Sequence, residues 1–578
     1  MAALTPTFLP TYLTPKLATT LKTYDRGQFV NDLIAGLIVG VVAIPLALAF
    51  GIASGVTPVE GLYSAVVGGF IISLFGGSRV QIGGPTGAFV VIVYGIIQMY
   101  GRDALAVCTI MAGVILIAMG IFRMGNLIKW IPYPVTTGFT SGIAVVIFSS
   151  EIKDLLGLRM GAVPPQFIEK WGAYMSALPT ADLATIALAA GTLAILIFFP
   201  RVTKKIPAPF VGLVFATGLA WAFHLPVETI GSRFGVLPRG LPRPHLPAMD
   251  LKIALGLVRP ATVVALLAAI ESLLSAVVAD GMIGGRHRSS MELVAQGAAN
   301  VIAPLFGGIP VTGAIARTAT NVKSGGRTPV AGIVHSLVVL CVLLFAGPLV
   351  ARVPLCSLAA VLVVVCYHMS EWRNFLFLLK APRSDVAVLL ATFGLTVLVD
   401  LTAAVEVGMV MAAFLFMRRM ADTTTVGAAF GDRRKTDRTA AAALGDATDE
   451  EGGAAKEAES KNLPHGVEVY RVSGPLFFGA ADKLAEVLSQ IQEPPKVFVL
   501  RLGAVPVLDA TGMHALREVQ ARFRRLRTLV FLCGLRPQPM AVLKNAGVLD
   551  EFDAWTADDD LDAALKKIAA SPKFRTSP

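Results

Sequence analysis

A polytopic α-helical membrane region followed by a small soluble α/β domain is the fold class this sequence predicts, on three observations. The 578 residues are 55% hydrophobic and 15% charged, with a mean hydropathy of +0.69, whereas soluble domains carry about 25% charged residues. Apolar segments of about 20 residues, enough to cross a bilayer, recur up to residue 420. After Arg419 the text turns polar, and then alternates short apolar strands with amphipathic helices.

Taken in order, crossing segments are read near 31–55, 59–76, 103–122, 132–151, 181–199, 207–224, 259–281, 291–306, 328–350, 354–370, 385–401 and 402–420. Two shorter, interrupted segments near 86–99 and 312–323 bring the number to fourteen. An even number puts both termini on one side. Arg26, Arg79, Arg123, Lys129, Arg201, Arg286, Arg288, Lys323, Arg327, Arg373, Arg383, Arg418 and Arg419 then fall on loops of one side. The bias of Lys and Arg toward inner loops makes that side the cytoplasm. The proline-rich connection 225–260 is the exception, and long loops follow the rule less well.

The interrupted segments are the centre of the reading. Gly76–Gly95 reads GGSRVQIGGPTGAFVVIVYG, and Gly307–Gly326 reads GGIPVTGAIARTATNVKSGG. Both contain Thr-Gly-Ala, at Thr86–Ala88 and Thr312–Ala314, and a shift of 226 residues superposes the triplets and sets Pro45 on Glu271. Seven segments per half is odd, so the halves, about 31–224 and 259–420, are expected to be inverted in the membrane. Paired Gly/Pro-broken segments in two halves of a membrane chain point to a transporter's binding site. Two half-helices whose N-termini face each other present free N–H groups and positive dipole ends to an anion. Two re-entrant loops without a ligand are the plainer alternative.

Residues 1–30 precede the first segment and lack the apolar core of a cleaved signal sequence. Residues 421–464 are rich in Ala, Gly and charged residues and could not bury a core, which reads as a flexible linker. From His465 to Pro578, VEVYRV, VFVLRL and TLVFLCG read as strands, and ADKLAEVLSQIQ, TGMHALREVQARFRRL, MAVLKNAGV and DLDAALKKIAA as helices. That alternation fits one α/β domain. The net charge of +11 is spread over short loops instead of one aromatic-laced face, which argues against a nucleic-acid partner. The five cysteines show no paired spacing, so neither a disulfide framework nor a metal site or other cofactor is expected.

Several motifs together carry a family resemblance. GLIVGVVAIPLALAFGIASGVTPVEGLYS (36–64), GGPTGAF (83–89), GFTSG (138–142), AIESLLSAVVADGM (269–282) and FGGIPVTGAIARTATNVKSGG (306–326) resemble the SulP, or solute carrier 26, family of anion transporters. GPLFFGAADKL (474–484) and VPVLDATGMHAL (505–516) resemble its STAS domain. The resemblance is closest to bacterial members that carry C4-dicarboxylates such as fumarate or succinate; related members carry bicarbonate or sulfate. It implies two inverted seven-helix repeats divided into core and gate, an elevator-like motion, and a homodimer in the inner (plasma) membrane with cytoplasmic termini.

Glu271 lies mid-span, where a carboxylate is costly and by default functional. It is the candidate proton carrier, and Ser275 one turn on shares its helical face. A structural glutamate bonded to backbone or to Ser272 and Ser275 is the alternative. Ile315 stands where a hydroxyl would help a sodium site, so a proton is expected ahead of sodium. Arg317 matches the family's arginine near the anion, with a planar fork suited to a carboxylate; pairing with Glu271 is its other reading. Gly84, Pro85, Thr86, Gly87 and Ala88, with Thr312, Gly313 and Ala314, would line the anion site and let it approach the backbone. Pro45 is expected to interrupt the first span. His335 and His368 read as satisfied core histidines, Asp280 with Arg286–Arg288 as loop-capping groups, and Asp400 as an interface residue. Asp509 in DATG reads as a helix N-cap ahead of a phosphorylation or nucleotide site. No nucleophile–base or phosphate-cradling motif points to an enzyme.

The functional expectation is a secondary transporter of a small anion, favouring a C4-dicarboxylate with a proton. Sulfate or bicarbonate transport, a membrane-anchored anion sensor and a nucleobase–cation symporter are the competing readings.

Overall fold

The computed structural model describes residues 10–125, 132–203 apart from 162 and 165, 206–247 apart from 239, and 251–430 apart from 400. It also describes 466–477, 491–558 apart from 492 and 493, and positions 483, 484, 486 and 566. The chain divides into two compact units, Met1–Ala412 and Ala413–Pro578. The expected residue 400 and the helices over 481–492 and 560–570 lie wholly or largely outside the described residues.

Fourteen helical segments follow the predicted order. They are α1 (Arg26–Ala53), α2 (Pro58–Phe75), α3 (Gly87–Tyr100), α4 (Arg102–Ile121), α5 (Tyr133–Leu156), α6 (Leu183–Val202) and α7 (Ala208–Ala222). The second half supplies α8 (Leu251–Ile283), α9 (Ser289–Ile302), α10 (Ile315–Lys323), α11 (Val330–Phe345), α12 (Leu355–Met369), α13 (Arg383–Leu398) and α14 (Leu401–Thr423). Among the described residues, seven helical stretches are long and apolar enough to cross a bilayer unaided. Three shorter apolar helices, α3, α7 and α11, have 14, 15 and 16 residues, and α10 has only 9.

The two halves pack alike. Helix α1 lies on α11 as α8 lies on α4; α2 meets α11 as α9 meets α4; α5 meets α13 as α12 meets α6. Each pair maps onto the other by adding seven to the helix number, which is what two seven-helix repeats require. Helices α1–α4 interleave with α8–α11, and α5–α7 with α12 and α13. Small residues allow these close approaches, as is usual between membrane helices. A Cβ on Gly113 of α4 would stand 2.7 Å from the Gly297 carbonyl of α9, and one on Gly297 2.5 Å from the Gly113 carbonyl.

Helix ends follow local chemistry. Asp25 caps α1 by accepting from Gln28 N at 2.8 Å, and Asp182 caps α6 through Thr185 N at 2.8 Å. Pro45 lies inside α1, which continues through it. Helix α8 begins at Leu251, eight residues before the expected 259, and carries Pro260 inside it. The proline-rich connection before it is partly ordered: Ile230 N donates to Val353 O at 2.9 Å, and Leu355 N to Glu228 O at 2.9 Å.

The second unit holds one sheet in the order β3 (Thr425–Phe430), β4 (Val467–Ser473), β5 (Val497–Ala504), β6 (Leu529–Cys533), β7 (Ala554–Trp555). Strand β3 is antiparallel to β4, and the remaining pairs are parallel. The expected linker therefore begins later than residue 421. Residues 421–423 complete α14 and 425–430 form the edge strand, whose alternating small residues carry little strand signal. Residues 431–464 lie outside the described set. Helix α15 (Ala510–Arg525) packs on β5, where Phe523 stacks on Phe498 at 4.5 Å between ring centres. Helix α16 (Pro537–Asn545) follows β6.

If the Gly113–Gly297 crossing fixes the α4–α9 distance, Gly297→Val should cost about 1–3 kcal/mol or more by overpacking. Fluorescence-detected size exclusion should then show loss of the monodisperse peak. An unchanged peak and melting temperature would mean that the crossing is slack.

Candidate functional site

The first unit is crossed at its centre by a two-residue sheet. Gly83–Gly84 (β1) pairs antiparallel with Thr312–Gly313 (β2), Gly83 opposite Gly313 and Gly84 opposite Thr312. The chain leaves β1 into α3 and β2 into α10. Because the strands are antiparallel, the two half-helices depart in opposite directions from a common level. Apart from Phe89 N, which reaches the Thr86 carbonyl at 3.3 Å, the first-turn amides have no intrahelical acceptors, and the positive ends of both dipoles converge here.

This geometry corrects the internal alignment. The N-cap of α3 is Thr86 and that of α10 is Ala314, so Thr86-Gly87-Ala88 is not the counterpart of Thr312-Gly313-Ala314. Thr312 and Gly313 belong to the strand, and the register between repeats is 228 at the helix starts (Gly87 against Ile315). The pairing of Pro45 with Glu271, which rested on 226, goes with it. Identical triplets misled the sequence alignment because strand and helix start use the same small residues.

Glycine is required at the crossing. Gly84 has φ +149, and a Cβ there would meet Arg317 Nη1 at 2.4 Å. A Cβ on Gly313 would fall 1.7 Å from Gln81 Nε2. Ala314 N donates to Ile82 O at 2.9 Å, and Thr312 Oγ1 to Ala268 O at 2.9 Å. Thr318 Oγ1 accepts from Ile82 N at 3.0 Å and from Ser275 Oγ at 3.2 Å. Ser275 is thus buried and already engaged with α10.

Glu271 of α8 accepts a hydrogen bond from Thr86 Oγ1 at 2.8 Å. Arg317, 2% exposed, donates through Nη2 to the Pro85 carbonyl. Its Nη1 is buried and makes no hydrogen bond among the described residues. Glu271 and Arg317 do not form an ion pair: each is bound to a different residue of the β1–α3 turn. Gly87 and Ala88 occupy the first turn of α3, and Ile315, 42% exposed, the first turn of α10. The structure therefore gathers Gly84, Pro85, Thr86, Gly313, Ala314, Arg317 and Glu271 around one turn. A fork of N–H donors, two helix N-termini and a carboxylate on the same turn can hold a small negative ion beside a group able to exchange a proton.

Sequence reasoning missed the polar stripe that supports the crossing. Glu292, Gln296 and Asn300 lie four residues apart on α9, all fully buried. Glu292 Oε2 accepts from Gly77 N at 2.8 Å and Ser78 N at 3.0 Å, and Oε1 from Gln296 Nε2 at 2.8 Å. Asn300 grips Val311 at both ends, Nδ2 to its carbonyl at 2.8 Å and Oδ1 from its amide at 2.9 Å. The spacing in SSMELVAQGAANVI was the available signal. Asp32 on α1 does the same for the second loop, accepting from Arg327 N at 2.8 Å and from Thr328 Oγ1 at 2.5 Å.

Other expectations divide. Asp280 accepts from His287 N at 2.8 Å and faces His287 Nδ1 at 2.7 Å, a loop-capping role. Asp509 accepts from Gly512 N at 2.8 Å as the N-cap of α15. His368 is exposed, and His335 is fully buried with neither ring nitrogen hydrogen-bonded among the described residues. Neither is the satisfied core histidine expected, because apolar helical context predicts burial without predicting partners.

Residues 29–392 match the model of the sulfate permease family, and 460–564 that of the STAS domain. YvdB of Bacillus subtilis, described provisionally as a sulfate transporter, is 42% identical over 533 residues, covering 92% of this chain and 96% of its own. The chain belongs to the sulfate permease family. The bicarbonate transporter BicA of Synechocystis is 32% identical over 525 residues, covering 88% of both chains. The solved transmembrane domain of a cyanobacterial BicA superposes with a TM-score of 0.60 at 32% identity, covering 66% of this chain and 98% of that one. Murine solute carrier 26 family member A9 superposes with a TM-score of 0.83 at 18% identity over 96% of this chain and 94% of that one, a likeness of fold. This sulfate permease family member is thus a multi-pass anion transporter with a C-terminal STAS domain.

If Glu292 holds the loop of this family member that leads into β1, Glu292→Ala leaves two buried amides and Gln296 unpaired. The expected cost is roughly 2–4 kcal/mol, read as a lower melting temperature in detergent. A variant as stable as the parent would mean that the 76–78 loop is held by other contacts.

Proposed function

We propose that the chain is a secondary transporter in which a small anion binds at the β1–β2 crossing and moves by an elevator-like alternating-access mechanism. The observation that carries this reading is Arg317: a buried guanidinium with one nitrogen on Pro85 O and the other unbonded among the described residues. Its free N–H groups, the first-turn amides of α3 and α10, and the side of Gly84 without a Cβ are complementary to an oxyanion. In this reading Gly84, Pro85, Thr86, Gly87, Ala88, Thr312, Gly313, Ala314 and Arg317 line or shape the anion site.

Glu271 is the proposed coupling group. Ionised, it accepts from Thr86 at the N-cap of α3; protonated, it has a hydrogen to give and the Thr86 hydroxyl must turn. Proton occupancy is thereby felt at the turn that lines the anion. A proton is favoured over sodium because Ser275 is occupied by Thr318 and Ile315 brings no hydroxyl. The proposed setting is a homodimer in the inner membrane with cytoplasmic termini, the side to which the basic loops point.

For the substrate, relatives described as sulfate and bicarbonate transporters favour a sulfate- or bicarbonate-like oxyanion over the C4-dicarboxylate that motif resemblance favoured. Uptake into proteoliposomes of sulfate, bicarbonate, fumarate, succinate and chloride at two pH values tests both. Saturable uptake of an oxyanion, faster with an inward proton gradient, is the expected result; no flux of any of the five would remove the transport reading.

Two variants separate binding from coupling. Arg317→Ala should weaken anion binding by roughly 1.5–3 kcal/mol, the loss of a charged hydrogen bond. Glu271→Gln should still fold and exchange substrate but lose accumulation driven by a pH gradient. Full gradient-driven accumulation by Glu271→Gln would make the carboxylate structural.

A further inference from the structure

The first unit has a second cationic feature, at the end of the helices where α1 begins and α8 finishes. A cleft of about 190 Å³ lies between the N-terminal segment and the core helices, lined by Thr20, Thr23, Gln28, Arg79, Ile283, Arg327 and Thr328. Arg79 comes from the loop before β1 and Arg327 from the loop after α10, so both repeats contribute one guanidinium. The short helix Lys16–Thr20 is tied over this end: Lys16 N donates to Gly76 O at 2.9 Å, and Arg288 Nη1 to Thr14 O at 2.7 Å.

Four basic side chains, Lys16, Arg79, Arg288 and Arg327, gather at this end of the unit. Among the described residues, Lys16, Arg79, Arg288 and Arg327 form no ion pair. Arg79 and the Gln28 amide also make no side-chain hydrogen bond. The acids close by are engaged with other groups: Asp25 with Gln28 N, Asp32 with Tyr24, Arg327 N and Thr328, Asp280 with His287, and Glu292 with Gly77 N and Ser78 N. The crowding is felt by Lys16, whose ammonium is held below the usual lysine range by burial and then by Arg288 and Arg79, against the opposite pull of Asp280. Basic loops that only set orientation would be free to spread apart in water; these are held together around a cleft.

We propose that this cleft binds a phosphate group, either the headgroup of an anionic phospholipid or free inorganic phosphate. Arg79 and Arg327 supply forked donors for phosphate oxygens, and the Gln28 side-chain amide a neutral one. The surroundings suit a headgroup. Leu21, Phe29, Val30 and Leu33, beside the lining residues on the same stretch, are 51%, 47%, 50% and 36% exposed. Exposed apolar side chains next to a cationic cleft suit a lipid whose tails lie beside its headgroup. A bound phosphate would hold the N-terminal segment, the loop before β1 and the loop after α10 to one another, and so reach both strands of the crossing from behind.

The test uses the full-length protein in detergent with three probes: dioctanoyl phosphatidylglycerol, dioctanoyl phosphatidylcholine and inorganic phosphate, with binding read by native mass spectrometry and calorimetry. Phosphatidylglycerol should bind and phosphatidylcholine should not. Arg79→Gln combined with Arg327→Gln should weaken binding about tenfold or more. Lys380→Gln, which removes one exposed charge elsewhere on a basic loop, should change it less than about twofold. Arg327 also donates to the Val322 and Gly326 carbonyls, so Arg79→Gln alone is the variant of record if the double variant melts early. Binding of phosphate without the lipid would support the site and assign it a soluble ligand. Wild-type affinity in Arg79→Gln, equal loss in Lys380→Gln, or no binding of either phosphate probe would overturn it.

Discussion

A helix broken inside a bilayer leaves amides and carbonyls that lipid cannot satisfy, at several kcal/mol for each group. Here the two breaks are set against each other, so that Gly83–Gly84 and Thr312–Gly313 supply each other's backbone partners. Everything near them serves that pairing. Asn300 and Ser64 bind the strand entering β2, Glu292 the loop entering β1, and Thr318 the amide just before Gly83. The glycines are there because Arg317 and Gln81 occupy the space a Cβ would need. Apart from Phe89 N, which reaches Thr86 O, the first-turn amides of the half-helices lack helical acceptors, and one nitrogen of Arg317 is unbonded among the described residues; the proposed anion site rests on these groups.

The same constraint ties binding to the fold. Arg317 belongs to the second repeat and reaches the first through Pro85 O; Glu271 belongs to the second and reaches the first through Thr86. A substrate that competes for Arg317, or a proton that reverses the Thr86 bond, acts on the turn that joins β1 to α3. In the proposed mechanism, binding and coupling thus share a few atoms, with no need for a signal carried over distance.

Much of this was legible in the sequence, and the reasons are physical. Long apolar runs and broken ones differ in composition, so fourteen segments and the two half-helices could be read directly, as could Glu271, conspicuous as a lone acid mid-span. Three strands of the soluble sheet showed as β-branched runs; Ala554–Trp555 was too short to show, and Thr425–Phe430, Thr-Val-Gly-Ala-Ala-Phe, carries small residues and depends on β4 for its conformation. Equivalence between repeats was misread by two residues because Thr-Gly-Ala occurs in both but in different backbone states. Glu292, Gln296 and Asn300 were passed over because attention to charge favours single acids over an i, i+4, i+8 polar stripe. Partners across hundreds of residues, such as Asp32 with Thr328, leave no local mark at all.

The central claim is that the anion sits where the two half-helices start. A cryo-EM map of the full-length protein saturated with whichever anion the uptake panel identifies tests it most directly. The account predicts density between the first turns of α3 and α10, within hydrogen-bonding distance of Arg317, and loss of that density in Arg317→Ala. Anion density elsewhere in the membrane unit, with the crossing closed and Arg317 in contact only with protein, would contradict it.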